Sequence, residues 1–317
     1  MRPAKVVVIG GGTGLSVLLR GLKQKPFHLT AIVTVGDDGG SSGKLRKELK
    51  MPPPGDVRNV ILALSDAEPL MEQLFQYRFK QGAGLEGHNI GNLFLAAMTE
   101  ITGDFTTAIR EMRRVLAVRG NVIPVSNQEV TLVAEMEDGE VIEGESQIPK
   151  SNKKVKKIKL KPENISASAS AIQAIEKADM VVLGPGSLYT SLIPNLLIPE
   201  IVQAIQHSKA KKVYVSNIMT QPGETDEFTA FDHLKAIYDH IGEDLFDTIL
   251  VNNATVPPDI KERYEEKKAK PVMVDIEKLK KYGFTIIEDN FISIDEETLS
   301  VRHNARQIAD TLEAIVK

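Results

Sequence analysis

The sequence contains no cysteine. Disulfides, thiolate nucleophiles and cysteine-ligated metals are excluded together. No set of His, Glu and Asp has the spacing of a structural zinc site either. Basic charge is not in excess: 39 Lys and Arg stand against 43 Asp and Glu, a formal net charge of −4, so no global field draws nucleic acid. No apolar run is long enough to span a bilayer. The start, Met1-Arg2-Pro3-Ala4-Lys5, runs straight into an apolar strand and leaves no room for a signal peptide. A cytoplasmic protein is therefore expected. What remains is ordinary for a globular chain: 317 residues, 42% hydrophobic and 26% charged, enough for one large α/β domain or two small ones.

Apolar strand-like runs alternate with helix-like segments along most of the chain, which argues for a parallel sheet with helices on both faces. Strands are expected at 6–9, 29–35, 180–183, 212–215 and 248–251. Leu15, Leu18, Leu19 and Leu22 give the first crossover helix its apolar spacing. Further helices are expected at 57–64, with Asp56 as its cap, and at 69–79, 90–101, 105–116, 166–177 and 304–316. The rhythm breaks between 126 and 162. There, runs at 130–135 and 141–143 flank Asp138-Gly139, a hairpin signal. Both ends of this stretch rejoin the α/β rhythm, so it reads as a β-rich insertion within a single Rossmann-like, doubly wound domain.

Two glycine-rich turns follow the first two strands: Gly10-Gly11-Gly12-Thr13-Gly14, and Gly36-Asp37-Asp38-Gly39-Gly40-Ser41-Ser42-Gly43. Glycine admits positive φ and lets a ligand approach the bare chain. The helix that follows offers free N–H groups and the positive end of its dipole, which suits phosphate. Neither turn is a standard fingerprint. Leu15 stands where the dinucleotide motif needs glycine, and Gly43-Lys44 lacks both the leading glycine and the following Ser or Thr of a P-loop. One such loop is evenly balanced between a ligand site and a mere tight turn. Two at adjacent strand ends favour phosphate binding, because open α/β sheets hold ligands there.

Asp37 and Asp38 fit a ribose reader, a Mg²⁺ pair beside phosphates, or a helix cap. Ser41, Ser42 and Lys44 add donors for phosphate oxygens. Arg58 and Asn59, in Gly55-Asp56-Val57-Arg58-Asn59, offer a guanidinium and an amide at a helix start, with a surface Arg58–Asp56 pair as the plain alternative. In Gly87-His88-Asn89-Ile90-Gly91-Asn92, the amides of Asn89 and Asn92 can read a base edge or sugar hydroxyls and His88 can serve as an acid, a base or a phosphate donor, or Asn89 can simply cap the next helix. Gly184, Gly186 and Ser187 open a third loop after an apolar strand. Ser187 as a covalent nucleophile is disfavoured, because the segment is not G-x-S-x-G and no His partner is evident. Asn217 and Asn252 are polar groups at two further strand ends. Tyr264 can stack on a base, and Arg302 can supply positive charge that the glycine loops lack. The lysines at 153, 154, 156, 157, 159 and 161 alternate with Val155 and Ile158 and read best as a charged, solvated edge strand.

Taken together, Gly10–Gly14, Thr34–Gly43, Pro53–Asn59, Gly87–Asn92 and Leu183–Ser191 resemble the gluconeogenesis factor family, the YvcK-like proteins, over essentially the whole chain. The wider group is CofD-like, after 2-phospho-L-lactate transferase. That enzyme joins a phospholactyl group to a deazaflavin with loss of a nucleoside monophosphate. The resemblance implies a Rossmann-like fold and, for the YvcK-like branch, a non-enzymatic regulatory role. Such proteins bind UDP-sugars such as UDP-N-acetylglucosamine, support cell shape and cell-wall metabolism on gluconeogenic carbon sources, and can be targets of a Ser/Thr kinase. The expected ligand is thus a nucleotide sugar, with no required cofactor, an unidentified protein partner in wall or carbon metabolism, and a homodimer on base rates. Two alternatives stand beside it: a Mg²⁺-dependent transferase using Asp37 and Asp38, and an NAD-binding oxidoreductase.

Overall fold

The structure, a computed structural model, describes residues 2–151, 153–242 and 244–317. β1 (Ala4–Gly10) leads through α1 (Gly12–Leu22) to β2 (Phe27–Val33). Five helices follow: α2 (Gly40–Leu49), α3 (Gly55–Leu64), α4 (Pro69–Gln76), α5 (Ile90–Thr102) and α6 (Phe105–Val115). After β3 (Asn121–Pro124) come β4 (Thr131–Met136), β5 (Val141–Glu143) and β6 (Val155–Lys161). The alternation resumes with α7 (Ala169–Glu176), β7 (Met180–Leu183), α8 (Ile193–Leu196), α9 (Pro199–His207), β8 (Lys211–Val215), α10 (Ala230–Ile241) and β9 (Thr248–Asn252). α11 (Pro258–Glu265), α12 (Ile276–Lys281), β10 (Thr285–Asp289), β11 (Ile292–Ile294), β12 (Val301–His303) and α13 (Ala305–Val316) complete the chain.

Seven strands form one sheet in the order β10-β9-β8-β7-β1-β2-β3, every neighbouring pair parallel. The order runs outward in both directions from β1 and β7. This is the doubly wound arrangement, and its switch point lies between those two strands, where such sheets open a crevice at their C-terminal ends. Alternation along β1 sends Val6 and Val8 to one face and Val7 and Ile9 to the other, and all four are buried. The first face packs on Leu15, Leu18 and Leu19 of α1, Val57 and Ile61 of α3, and Leu312 of α13. The second packs on Ile201 and Ile205 of α9 and Leu234 of α10. Truncating one such Leu or Ile to Ala typically costs about 2–5 kcal/mol, so the two cores hold the strand ends, and the loops they carry, in place.

The antiparallel sheet β5-β4-β6 is the expected hairpin with a third strand added. Leu132, Ala134, Ile158 and Leu160 turn into the second core. Lys156 and Lys159 turn outward to Glu135, and Lys161 to Glu143, so part of this lysine run is paired within its own sheet. The backbone N–H of Ile158 donates to His240 Nε2 at 2.9 Å, which occupies part of the outer edge of β6.

Several boundaries differ from the sequence reading. β2 stops at Val33, two residues before the expected end. α4 ends at Gln76 because the chain doubles back, with the Phe79 N–H bonded to His88 O and the Gly87 N–H to Phe79 O. The helix expected at 166–177 starts only at Ala169, because the Ser168 N–H is drawn to Val125 O. α3 starts at Gly55 after Pro54, so Asp56 lies in its first turn and is not its cap. Among the described residues, no single helix is long and apolar enough to cross a membrane.

Candidate functional site

The loops at the switch point enclose a pocket of about 520 Å³, within the size range of small-molecule sites. One wall is the first glycine loop. Gly11 is extended, Gly12 takes φ 63, and α1 begins there with no cap from Gly11 itself, although the Gly12 N–H is turned away to the Asp56 carboxyl. Gly14 packs so closely on the third loop that a Cβ there would stand 2.6 Å from Pro185 O. The second wall is Pro185–Ser187, running into a buried π-helical turn at Leu188–Leu192. Ser191 of that turn backs Gly11 and Gly12. The floor is the segment after β8. There Asn217 Nδ2 donates to Gly186 O at 2.9 Å and Gln221 Nε2 donates to Ser187 Oγ at 2.8 Å.

The far wall comes from the C-terminal region. Tyr264, Lys267, Arg302 and His303 line it. The Tyr264 hydroxyl accepts the Val301 N–H at 2.9 Å, which fixes the ring against β12. The His303 imidazole meets Ser216 O at 3.0 Å through Nε2. Burial, only partly offset by that bond, lowers its pKa to about 4, so His303 is a neutral donor at ordinary pH. Lys267 and Arg302 are exposed and place two cations at the rim.

Across Gly11 the character changes. Gly11 abuts Asp56 Oδ2, and Gly55 abuts both Asp37 Oδ2 and Ser42 Oγ. Asp37 Oδ1 accepts the Gly39 N–H at 2.9 Å, and Asp38 Oδ1 accepts the Ser146 N–H at 2.8 Å. The latter bond brings in Glu145 from the insertion. Burial, then the charges of Asp37, Asp56, Asp38 and Glu224, push the Glu145 carboxyl up to about 8. Asp56 is pushed up to about 6 by burial and by Asp37, against a hydrogen bond from the Gly12 backbone. Glu224, behind the third loop, is raised to about 7 by burial while the Tyr189 N–H opposes the shift, and its Oε2 has no partner. Crowded carboxyls under weak solvation retain protons that isolated ones lose.

Of the remaining candidates, Ser41, Ser42, His88 and Asn92 form one buried network. Ser41 Oγ lies 3.2 Å from His88 Nδ1 and accepts the Asn89 N–H at 3.2 Å. Asn92 Nδ2 donates to Ser42 Oγ at 3.4 Å, while Asn92 Oδ1 is unpaired. Arg58 is not the surface residue of the plain alternative. It is buried, donates to Phe75 O at 3.5 Å and leaves Nε without a partner, and burial with Arg78 nearby lowers its pKa to about 10. Lys44 is exposed and reaches Glu86 O.

Four candidates lie elsewhere or are engaged by the scaffold. Asn89 caps α5 with its oxygen and gives its amide to Gln76 O. Asn252 is held at both ends of its amide, by Ala254 O and the Phe291 N–H. Asn59 sits on α3 and Gly184, at φ 83, in the turn below Pro185; neither lines the pocket. The sequence reading missed Asp56 as a loop contact, together with Glu145, Glu224 and Lys267. Glu145 carried no signal at all, since it reaches the second loop only through the insertion.

The sheet order and the crevice at its switch point define a doubly wound, Rossmann-like α/β protein. Residues 6–292 match the family model described as 2-phospho-L-lactate transferase CofD. The chain is 56% identical to a gluconeogenesis factor of Halalkalibacterium halodurans over 98% of this chain and 96% of that one. It is 54% identical to the gluconeogenesis factor of Bacillus subtilis over 99% and 98%. A crystal structure of a Bacillus halodurans protein superposes with a TM-score of 0.95 at 55% identity, covering 98% of this chain and 99% of that one. The chain belongs to the CofD-like family, in its gluconeogenesis factor (YvcK-like) branch.

Proposed function

We propose that the protein is a cytoplasmic regulator that binds a nucleotide sugar of the UDP class and serves cell-shape and cell-wall metabolism during gluconeogenic growth. The observation that carries this reading is the pocket itself. The backbone at Thr13 and Gly14 in the first turn of α1, the hydroxyls of Ser187 and Ser191, and the rim cations line it, while among the described residues no nucleophile–base pair does. Ser187 Oγ is held by Gln221 and has no imidazole partner among the described residues. Diphosphate would lie against the first and third loops, with the base or sugar toward Tyr264 and Asn217. Calorimetric titration with UDP-N-acetylglucosamine, UDP-glucose and NAD tests this. Binding of the UDP-sugars is expected, and silence of all three at millimolar concentration would end it.

The acid group beside Gly11 favours one second reading, the metal-assisted transferase. Asp37, Asp38 and Asp56 are the carboxylates that would hold Mg²⁺ there, and the ion would neutralise charge on a transferring phosphoryl group. Their donors do not converge as a ligand set: among the described residues no three His, Asp or Glu groups are placed to share one ion. Asp37 and Asp38 instead accept different backbone N–H groups. Metal-dependent product formation that disappears in Asp38→Asn would establish the transferase and displace the regulator.

A further inference from the structure

The pocket walls carry charge of one sign. In a chain with 43 Asp and Glu, no carboxylate lines this pocket among the described residues, whereas Lys267 and Arg302 both do. Lys267 is exposed, and it has no ion pair among the described residues. Two lysines near it in the chain differ. Lys261 pairs with Glu265 at 3.6 Å and Lys270 with Glu227 at 2.6 Å, and neither of them lines the pocket. Of these three lysines, the one that reaches the pocket keeps its charge uncompensated.

The backbone fixes where Lys267 stands. Its own N–H and that of Ala269 both donate to Tyr264 O, at 3.0 and 2.9 Å, which closes a tight turn after α11. Lys268, within that turn, takes φ 61, an uncommon region for a residue with a side chain. The residues that follow are tied to the pocket floor. The Thr220 N–H donates to Lys270 O at 2.7 Å, the Lys270 N–H to Thr220 Oγ1 at 2.9 Å, and the Val272 N–H to Ile218 O at 2.8 Å. Asn217 and Gln221 of the same floor hold Gly186 and Ser187, so turn, floor and third loop are one hydrogen-bonded unit. A strained turn persists where its surroundings over-determine it, and such turns cluster at ligand clamps. On the reading that the ligand is a nucleotide sugar, we propose that Lys267 is the residue that selects a diphosphate. One phosphate lies against the backbone at Thr13 and Gly14, and the other takes its counter-charge from Lys267 beside Arg302 at the rim. An ammonium meets phosphate as a point charge, so Lys267 reads the second phosphate and leaves the sugar beyond it unread.

Calorimetric titration of the full chain with UDP-N-acetylglucosamine and with UMP, the latter read by displacement, tests this. Wild type should bind the diphosphate at least about tenfold more tightly than the monophosphate. Lys267→Ala should weaken UDP-N-acetylglucosamine about tenfold, the worth of one hydrogen bond to a charged group, and leave UMP within about twofold. Its melting temperature should not move, since the side chain is exposed. Lys267→Arg should restore most of the loss. The fall in affinity with added salt should be shallower in Lys267→Ala than in wild type. A wild type silent to UDP-N-acetylglucosamine removes the nucleotide-sugar reading and this assignment with it. A wild type that binds, with Lys267→Ala losing nothing, losing both ligands equally or keeping the full salt dependence, overturns the assignment of Lys267 alone.

Discussion

The two sides of Gly11 are built from the same parts and end with opposite chemistry. Toward β7 and β8, the loops present backbone, hydroxyls and two rim cations to an open pocket, and His303 stays neutral with its N–H given to Ser216 O. Toward β2, a loop of the same glycine-rich kind gathers Asp37, Asp38, Asp56 and Glu145, and its oxygens are already engaged by Gly39, Ser146 and Gly12. The first side suits an anion. The second repels one until it is protonated or neutralised. Two similar glycine motifs therefore do not mean two phosphate cradles, and what lines the loop decides its ligand.

The sharpest way to break this contrast is at Gly14. A side chain there collides with Pro185 O, backbone that cannot swing aside. Gly14→Val should lower stability by about 1–3 kcal/mol and reduce UDP-sugar binding at least tenfold. Chemical denaturation and calorimetry read the two effects separately. Next comes Asn217→Ala, which removes the bond to Gly186 O that sets the third loop. One such bond is worth about 1 kcal/mol, so a roughly fivefold weaker affinity is expected with little change in melting temperature.

The acidic side makes its own prediction. Glu145 holds its proton to about pH 8 in the fold, against an ordinary 4.5. Over that interval the folded chain binds more protons than the unfolded one. The stability tied to this group is thus complete below about 4.5 and is lost as pH rises through about 8. Glu145→Gln should flatten that decline in a series of melting curves at increasing pH. A slope that survives the substitution assigns it to Asp56 or Glu224. The smallest effect belongs to Asp38→Asn. Its remaining oxygen still accepts the Ser146 N–H, so UDP-sugar affinity should stay within about threefold, a change below 1 kcal/mol.

Much of this was legible beforehand because it is local. Val6–Ile9 and Met180–Leu183 are short apolar runs closed by glycines, and such runs announce buried parallel strands and their loops. The hairpin showed through Asp138-Gly139 for the same reason. What escaped was non-local. Ser146 meets Asp38 from 108 residues away, and no periodicity records that meeting. Asn89 and Asn252 looked like ligand readers because amides at strand and helix ends are versatile. Only the fold reveals that backbone groups occupy them. Asp56 looked like a cap because it follows Pro53-Pro54-Gly55, but the helix had already begun one residue earlier.

The central claim is that the ligand lies on the Gly14 side of Gly11 and not on the Asp38 side. Parallel calorimetric titrations of UDP-N-acetylglucosamine into wild type, Gly14→Val and Asp38→Asn test it most directly. One ligand per chain is expected for wild type and Asp38→Asn, with the signal gone in Gly14→Val. Binding that survives Gly14→Val but disappears in Asp38→Asn would contradict the account.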